Sequence, residues 1–161
     1  MSSFKMVIPW TPKPKASVMM IQRGAKKSFV NTSCAGMTRT RNYVKRALSD
    51  LEGPLFTGPL LVIVHFVIPV FKKYKGEDRK RFHHTPHAAR PDGDNLEKFL
   101  NDALSGVVWK DDAQISWILR SKTNTEAEEG YTVLYVRELS DTFTDYRAIL
   151  EDIEEEIWPL K

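Results

Sequence analysis

The pattern of apolar residues along the chain predicts several short strands. The clearest signal is Leu60–Pro69, an apolar run rich in β-branched side chains and interrupted by His65. A membrane span needs about 20 apolar residues, so a run of this length indicates a buried strand instead. Further strands are predicted at residues 4–9, 28–31, 113–122 and 131–138.

Apolar residues recur at helical spacing in two internal segments. Residues 38–51 carry them three and four positions apart and end before Gly53-Pro54, and residues 95–104 repeat the spacing. Residues 141–157 predict a terminal helix with an acidic face. The remaining stretches are typical of loops: a loop over residues 16–35, a long basic loop over residues 72–90 and an acidic turn over residues 123–130.

Strands and helices that alternate without a repeat or a linker predict a single α+β domain built on a mixed β-sheet. We expect this domain to span residues 1–140 and an acidic helical extension to span residues 141–161. The strand residue His65 is expected to be hydrogen-bonded within the sheet, and Trp109 and Trp117 are expected to pack in the core.

One cysteine, Cys34, excludes an internal disulfide framework and a cysteine-based metal cluster. Residues 1–10 lack the charged start and small-residue cleavage site of a signal peptide, so we expect a cytoplasmic location.

The net charge of +3 conceals a strong segregation of charge. Residues 1–91 hold 17 Lys and Arg against 4 Asp and Glu, whereas residues 92–161 hold 7 Lys and Arg against 17 Asp and Glu. Such a division favours a surface that faces a polyanion. The acidic half is compatible with metal ligands, a partner-binding tail or solvated surface.

Two carboxylates, Asp92 and Asp94, lie in one short turn at the start of the acidic half of the chain. Asp94 also stands where a helix N-cap belongs, so capping is an alternative role for it. Lys98 follows one helical turn later. In the next predicted strand, alternation directs Asp112 away from the buried face and Asp111 toward it.

Clustered carboxylates repel one another unless a cation or a proton lies between them. Magnesium is the expected occupant, because it takes oxygen ligands and keeps waters and phosphate oxygens in its shell. Such a site can orient a water and stabilise the leaving oxygen of a phosphodiester. An Asp-x-Asp turn also occurs in glycosyltransferases that use sugar nucleotides, but 161 residues leave little room for the nucleotide-binding unit that such an enzyme requires.

Three neighbouring segments resemble one family signature. Residues 91–98 read Pro-Asp-Gly-Asp-Asn-Leu-Glu-Lys, residues 101–104 read Asn-Asp-Ala-Leu, and residues 109–115 read Trp-Lys-Asp-Asp-Ala-Gln-Ile. In order and spacing they closely resemble the signature of the RusA family of Holliday junction resolvases (crossover junction endodeoxyribonucleases). The opening strand, which ends in Pro-Trp-Thr-Pro, also resembles the start of family members. The resemblance covers about residues 6–136 and is dense over residues 91–115.

The resemblance implies that Asp92, Asp94 and Asp112 are the metal-binding catalytic aspartates and that Lys98 is the functionally important lysine. It also implies Mg²⁺ as the cofactor, with Mn²⁺ as a substitute, and a homodimer that places symmetric nicks in a four-way DNA junction during recombination and repair. Family members are often encoded by phages and prophages. A longer loop before the signature and a longer acidic end distinguish this chain from the short bacterial members.

The basic half supplies the residues expected to neutralise DNA phosphates. The candidates are Lys13, Lys15, Arg23, Lys26, Lys27, Lys72, Lys73, Lys75, Arg79, Lys80, Arg81 and Arg90. The helix at residues 38–51 adds Arg39, Arg41, Lys45 and Arg46. Phe71, Tyr74 and Phe82 alternate with the basic residues of the long loop, where they are suited to stack on opened bases.

The long loop also carries His83, His84 and His87, whose spacing does not complete a four-ligand zinc site. Phosphate contact or no specific role is expected for them. An alternative function for the whole chain is an architectural protein that binds junctions without cutting them. The complete aspartate set argues against that function, because a pure binder gains nothing from negative charge where a phosphate must lie.

Overall fold

The computed structural model describes residues 3–15, 18–23, 26–31, 34–49 and 55–139, and for residues 18–23, 26–31 and Cys34 it describes the backbone alone. The strands are β1 (Ser3–Ile8), β2 (Val18–Arg23), β3 (Lys26–Asn31), β4 (Leu60–Pro69), β5 (Ile115–Thr125) and β6 (Tyr131–Glu138). The α-helices are α1 (Cys34–Ala47), α2 (Gly76–Lys80) and α3 (Gly93–Leu104), and a 3₁₀ turn covers Asp112–Gln114.

Four strands form one mixed sheet in the order β1-β6-β4-β5. Strand β4 pairs parallel with β5 and antiparallel with β6, and β6 pairs antiparallel with β1. Strands β2 and β3 form a separate antiparallel hairpin. These elements confirm the α+β class and the mixed sheet. The predicted terminal helix at residues 141–157, the extension at 141–161 and the domain boundary at residue 140 lie outside the described residues.

The core lies between one face of the sheet and helices α1 and α3. Alternate residues of β4, among them Val62 and Val64, pack with Val44 of α1 and with Leu96 and Leu100 of α3. All of these side chains are buried. Removing apolar area of this kind from water stabilises the fold by about 1.5–3 kcal/mol for each side chain of this size. The described part of the chain contains no helix that is long and apolar enough to cross a membrane.

Strands β4 and β6 have the bounds that the sequence predicts, because both lie in the middle of the sheet and are rich in apolar residues. Within the predicted loop over residues 16–35, the short strand predicted at residues 28–31 is confirmed as part of β3, but the prediction misses its partner strand β2 and hence the hairpin. Its two strands are separated by Gly24-Ala25, and a two-residue spacing that contains glycine is typical of hairpins. The predicted basic loop over residues 72–90 also contains the short helix α2.

Helix α1 begins four residues before its predicted start and ends at Ala47, and α3 begins two residues early. Strand β5 begins at Ile115 rather than at residue 113 and continues to Thr125. The N-terminal boundary shifts because residues 112–114 form the 3₁₀ turn. The C-terminal extension of β5 shortens the predicted acidic turn.

Of the two predicted core tryptophans, Trp109 is fully buried and Trp117 is 43% exposed. The prediction for Trp117 is wrong for two reasons. Strand β5 is at the edge of the sheet, and a register shift against Leu60 and Leu61 places an extra residue, Ser116, between the paired positions of β5. An extra residue of this kind reverses the alternation of side chains between the two faces.

Candidate active site

Asp92 and Asp94 lie at the N-terminus of α3, and both are exposed. Asp92, not Asp94, occupies the N-cap position, and its side chain makes no capping hydrogen bond. The prediction that Asp94 is the N-cap is therefore wrong, because the helix begins at Gly93. A helix N-terminus favours negative charge, so this turn holds two carboxylates whose oxygen atoms remain accessible to a cation.

Strand β5 fixes the backbone of this turn. Lys122 Nζ donates hydrogen bonds to the carbonyl oxygens of Ala89 at 3.0 Å and of Pro91 at 2.9 Å. A β-carbon added at Gly93 would lie 2.7 Å from Arg120 Nε, so a larger residue at this position would require the Arg120 side chain to move. Two basic side chains of β5, Arg120 and Lys122, therefore lie against the turn.

The sequence patterns did not identify Arg120 and Lys122 as residues of the site. A signal for them exists, because two basic residues two positions apart in a strand project on the same face. Arg120 also forms an ion pair with Glu97 of α3. Both residues hold parts of the protein in place, which is a positioning role rather than a role in chemistry.

Lys98 and Asp94 form an ion pair across one turn of α3, with 3.3 Å between Nζ and Oδ2. The hydrogen bond from Lys98 lowers the pKa of Asp94 below its ordinary value. Asp94 is consequently ionised at neutral pH. The structure brings Asp92, Asp94 and Lys98 into one exposed cluster, as the sequence predicts.

Asp111 and Asp112 are both exposed, so the prediction that Asp111 is directed toward the buried face is wrong. The alternation argument is wrong because Asp112 lies in the 3₁₀ turn and not in the strand. Asp111 caps this turn, accepting a hydrogen bond from the backbone N–H of Ala113 at 2.9 Å, while Gln114 completes the capping box. Asp112 is exposed and forms no ion pair or side-chain hydrogen bond with the described residues.

Asp112 lies at the opposite end of β5 from the Asp92–Asp94 turn. It precedes Ile115, whereas the turn contacts Arg120, and five residues of strand span about 16 Å. Among the described residues, no three Asp, Glu, His or Cys side chains lie close enough to hold one metal ion. A single chain therefore brings together two of the three predicted aspartates and leaves the third apart.

Several predicted DNA-binding side chains already have protein partners. Lys15 pairs with Asp102 at 2.6 Å, and Arg79 donates to the carbonyl oxygens of Glu126 and Ala127. Lys80 and Arg81 pair with acidic residues of α2. The exposed members with no ion pair among the described residues are Lys13, Lys72, Lys73, Lys75 and Arg90. The side chains of Arg23, Lys26 and Lys27 lie outside the described part.

Two arginines of α1 have structural contacts. Arg41 donates hydrogen bonds to the carbonyl oxygens of Asp102, Ala103 and Ser105, which are the last carbonyls of α3. Arg39 lies over the ring of Trp10, with 4.2 Å to the centroid. The guanidinium of Arg41 therefore caps a helix, and its contact with DNA stays a prediction.

The long loop encloses a groove of about 700 Å³ beside the aspartate turn. Its lining includes Phe71, which is 50% exposed, and the rings of Tyr74 and Phe82, whose centroids are 4.6 Å apart. Ala88 and Ala89, a few residues before Asp92, form another part of the lining. The predicted aromatic residues thus line one groove together with part of the segment that precedes Asp92.

The loop histidines do not form a zinc site within the described residues. His87 is buried, and its two ring nitrogens lie 2.7 Å from Asn124 Oδ1 and 3.1 Å from the carbonyl oxygen of Arg90. It therefore connects the loop to β5. His65 is hydrogen-bonded in the sheet, as expected, with 2.6 Å between Nδ1 and Ser121 Oγ.

Comparison with known proteins identifies the family of the chain. No curated protein matched the chain. The family model described as endodeoxyribonuclease RusA matches residues 9–133, which include β5, the long loop and α3. That match covers most of the chain. The chain therefore belongs to the RusA family, the endodeoxyribonucleases that resolve Holliday junctions.

Proposed function

We propose that the protein is a magnesium-dependent, structure-selective endodeoxyribonuclease that resolves Holliday junctions by symmetric paired nicks in DNA recombination and repair. One observation carries the proposal: two exposed carboxylates and a lysine lie together at the N-terminus of α3. Family membership supplies the reaction class, and the cluster supplies the groups that this reaction needs.

The Asp92 and Asp94 pair fits a magnesium ion in the chemistry of its donors. Mg²⁺ commonly binds one or two carboxylates and completes its octahedral shell with waters and substrate phosphates. Manganese prefers the same oxygen ligands, so Mn²⁺ is the proposed substitute. When bound, the ion supplies activation of a water and stabilisation of the leaving oxygen of a phosphodiester. Asp112 is the third proposed ligand. Within one chain, it lies apart from Asp92 and Asp94.

Lys98 has two roles in this proposal. Its contact with Asp94 keeps that carboxylate ionised and therefore able to bind a cation. Its side chain is also 59% exposed, so the ammonium group is accessible to a phosphate oxygen. A cation fixed where negative charge develops stabilises the transition state. Lys98 is thus proposed to hold the scissile phosphate against the carboxylate pair.

The groove beside the turn suits the DNA around the branch point. Lys72, Lys73 and Lys75 are exposed along its approach, where they are able to neutralise phosphates. Phe71, which lines the groove and is 50% exposed, is available to stack on bases that open at the junction. Base stacking on aromatic rings contributes about 1–3 kcal/mol per base without requiring a sequence. The groove thereby favours a junction over an uninterrupted duplex.

Paired nicks of like polarity require two sites related by symmetry, so we propose a homodimer acting on one four-way junction. The products are proposed to carry 5′-phosphates.

The deciding experiment compares the wild-type protein with Asp94→Asn for binding and cutting of a synthetic four-way junction with Mg²⁺. Asp102→Asn is the matched control, because Asp102 lies on the same helix and pairs with Lys15 instead. We expect the wild type and the control to make symmetric nicks and Asp94→Asn to bind without cutting. If every protein binds and none cuts with Mg²⁺ or Mn²⁺, the protein is a junction-binding architectural protein instead.

A further inference from the structure

The four-stranded sheet carries apolar side chains on both of its faces. One face packs against α1 and α3 through Val62, Val64 and Leu134, among others. Because side chains alternate along a strand, the neighbours of these residues project to the opposite face, here called the outer face. A sheet face that lies in water is normally polar. The outer face instead carries, in order across the sheet, Val7, Val133, Tyr135, Leu61, Ile63, Leu119 and Trp117.

The outer face is covered along its middle and exposed at its two edges. On the central strands, Leu61 is 1% exposed and Tyr135 is 5% exposed. On the edge strands, Val7 is 47% exposed and Trp117 is 43% exposed. Helices α1 and α3 do not account for this pattern, because both pack on the other face. Neighbouring strands lie about 4.8 Å apart, and a helix with its side chains is about 10–12 Å across. One further helix is therefore wide enough to cover β4 and β6 alone.

Residues 140–161, which lie outside the described residues, contain a sequence suited to such a helix. Their apolar residues recur three and four positions apart, which is the spacing of one helix face. This apolar stripe consists of Phe143, Tyr146, Leu150, Ile153 and Ile157. The other positions are strongly acidic, since residues 141–157 hold 7 Asp and Glu against one Arg. An isolated helix of about 15 residues is only marginally stable in water, so the stripe requires an apolar surface.

The chain leaves the sheet from a central strand. Strand β6 ends at Glu138, which is paired with Leu60 at the start of β4. Leu139 N then donates to the Pro59 carbonyl at 2.8 Å. Three residues separate Leu139 from the apolar stripe, and connections this short join elements that are neighbours in space. A helix over residues 143–157 would be about 22 Å long, against about 26 Å for β6, so it fits along the strand that it follows.

We propose that residues 143–157 form a helix that packs its apolar stripe on the outer face, over β4 and β6, as a third layer of the fold. The occupant of this face is a segment of the same chain, and its acidic side faces the solvent. The burial on the central strands, the spacing of the stripe and the exit from β6 carry this docking. It does not depend on the nuclease function.

The basic half of the chain offers a second place for an acidic segment. The exposed lysines of the long loop, Lys72, Lys73 and Lys75, would attract it by charge. That location would leave the apolar stripe in water and the middle of the outer face without this cover. Exposed ion pairs contribute little to stability, whereas burial of large apolar side chains contributes much more. The outer face is therefore the stronger partner.

The docked segment has a consequence for DNA, and this part rests on the proposed function. Arg120 of β5 pairs with Glu97 of α3, and Lys122 projects on the same face of the sheet. The Asp92–Asp94 turn, which Lys122 holds, therefore lies on the helix side of the sheet. The acidic side of the segment faces the opposite direction and repels phosphates within about 10 Å at 0.1 M salt. It thereby favours approach of DNA from the side that carries the turn.

The first test locates the segment in the full chain without any cleavage. The rise per residue is about 1.5 Å in a helix and about 3.3 Å in a strand, so a helix that runs back along β6 brings Ile153 near Val133. In a Cys34→Ser background, Val133→Cys is combined with Ile153→Cys and treated with a short bismaleimide. Lys75→Cys with Ile153→Cys is the matched control, since Lys75 lies in the long loop.

We expect a crosslink within one chain for the pair at positions 133 and 153 alone. The absence of that link, a link that joins two chains, or a link between positions 75 and 153 overturns the proposal.

Hydrogen exchange tests the same docking without a cysteine pair. In the wild type, the backbone amides of residues 147–157 should exchange slowly, because an undocked helix of this length opens readily. Leu150→Ser shortens one side chain of the stripe and should speed this exchange while β4 and β6 stay protected. Glu151→Ser, on the acidic side, is the control and should leave the protection nearly unchanged. Fast exchange throughout the segment in the wild type would refute the docking.

Neutralising the acidic side tests the effect on DNA. Glu151→Gln, Asp152→Asn and Glu155→Gln are combined, which leaves the apolar stripe intact. We expect tighter binding of an uninterrupted duplex at about 50 mM salt, a smaller gain at about 200 mM and unchanged nicking of a junction. An unchanged duplex affinity would refute the repulsion of DNA. If the wild type cuts no junction, the proposed function fails, while the crosslink still reports where the segment lies.

Discussion

Lys122 Nζ lies 2.9 Å from the carbonyl oxygen of Pro91 and donates a hydrogen bond to it. A lysine of the edge strand thereby holds the backbone immediately before Asp92. The same ammonium group also binds the Ala89 carbonyl at 3.0 Å, so the position of the carboxylate pair depends on a residue outside the Asp92, Asp94 and Lys98 cluster. Lys122 thus positions the turn, whereas Asp92 and Asp94 are the proposed metal ligands.

Lys122→Met should reduce nicking while leaving junction binding nearly unchanged, because the turn loses two charge-assisted hydrogen bonds. Loss of such contacts costs about 1–3 kcal/mol of unfolding free energy. Urea denaturation and single-turnover nicking measure the two effects. Lys110→Met, an exposed lysine before the 3₁₀ turn, is the control. Full activity in Lys122→Met would show that the turn keeps its geometry without this anchor.

Gly93→Ala tests the close approach of α3 to β5. The new methyl group would lie 2.7 Å from Arg120 Nε, so the arginine must move and weaken its ion pair with Glu97. We expect a destabilisation of about 1–3 kcal/mol, the usual cost of overpacking. In the double variant with Arg120→Ala, the added methyl should cost little, which a double-mutant cycle on unfolding free energies measures. Strict additivity of the two changes would contradict the predicted clash.

The sequence predicted best where burial alone decides the structure. Strands β4 and β6 are rich in apolar residues and lie in the middle of the sheet, and their predicted bounds match the structure. Edge elements were harder, because half-exposed strands carry weaker patterns. The pattern predicts part of β3 but not its partner β2, and it places Trp117 in the core although the register shift at Leu60 and Leu61 turns that side chain outward.

In the candidate site, contacts within one element were predictable from the sequence, whereas contacts between elements were not. Asp92, Asp94 and Lys98 lie within one helical turn, so local spacing was sufficient to predict their cluster. Asp112 lies in the 3₁₀ turn before β5. Its distance from Asp92 and Asp94 therefore depends on how α3 packs against β5, which local spacing does not predict. Arg120 and Lys122 act through tertiary contacts with the turn, which no local pattern encodes.

Lys75→Ala should weaken junction binding through loss of a phosphate contact. Lys75 is exposed and forms no ion pair among the described residues. The slope of log K against log salt concentration should fall by about 0.9, the value for one phosphate. Titration between about 50 and 200 mM salt covers the range where binding is expected to fall steeply. Arg79→Ala is the contrasting variant: its guanidinium binds two carbonyls, so it should lose stability with little change in slope.

Lys98→Met should move the acidic limb of the nicking profile to higher pH. The hydrogen bond from Lys98 lowers the pKa of Asp94, so its removal lets the pKa rise toward the ordinary value. Asp94 then becomes protonated at a higher pH and loses cation affinity there. Carbon-detected NMR titration of Asp94 measures the shift directly, with Lys98→Arg retaining the charge as the control. An unchanged Asp94 titration would contradict the assigned cause.

His65 should make the stability of the fold depend on pH. Burial, and secondarily the nearby His84, lowers the pKa of His65 below the ordinary value of about 6.5. Above that value the ring is neutral in both the folded and the unfolded states. As the pH falls through about 6.5, the unfolded state binds the proton first, so the free energy of unfolding decreases until the folded ring also becomes protonated. Urea denaturation at pH 8 and at pH 5.5 should show this loss in the wild type and a smaller one in His65→Gln, which retains hydrogen-bonding capacity toward Ser121. An equal loss in both proteins would assign the pH dependence to other groups.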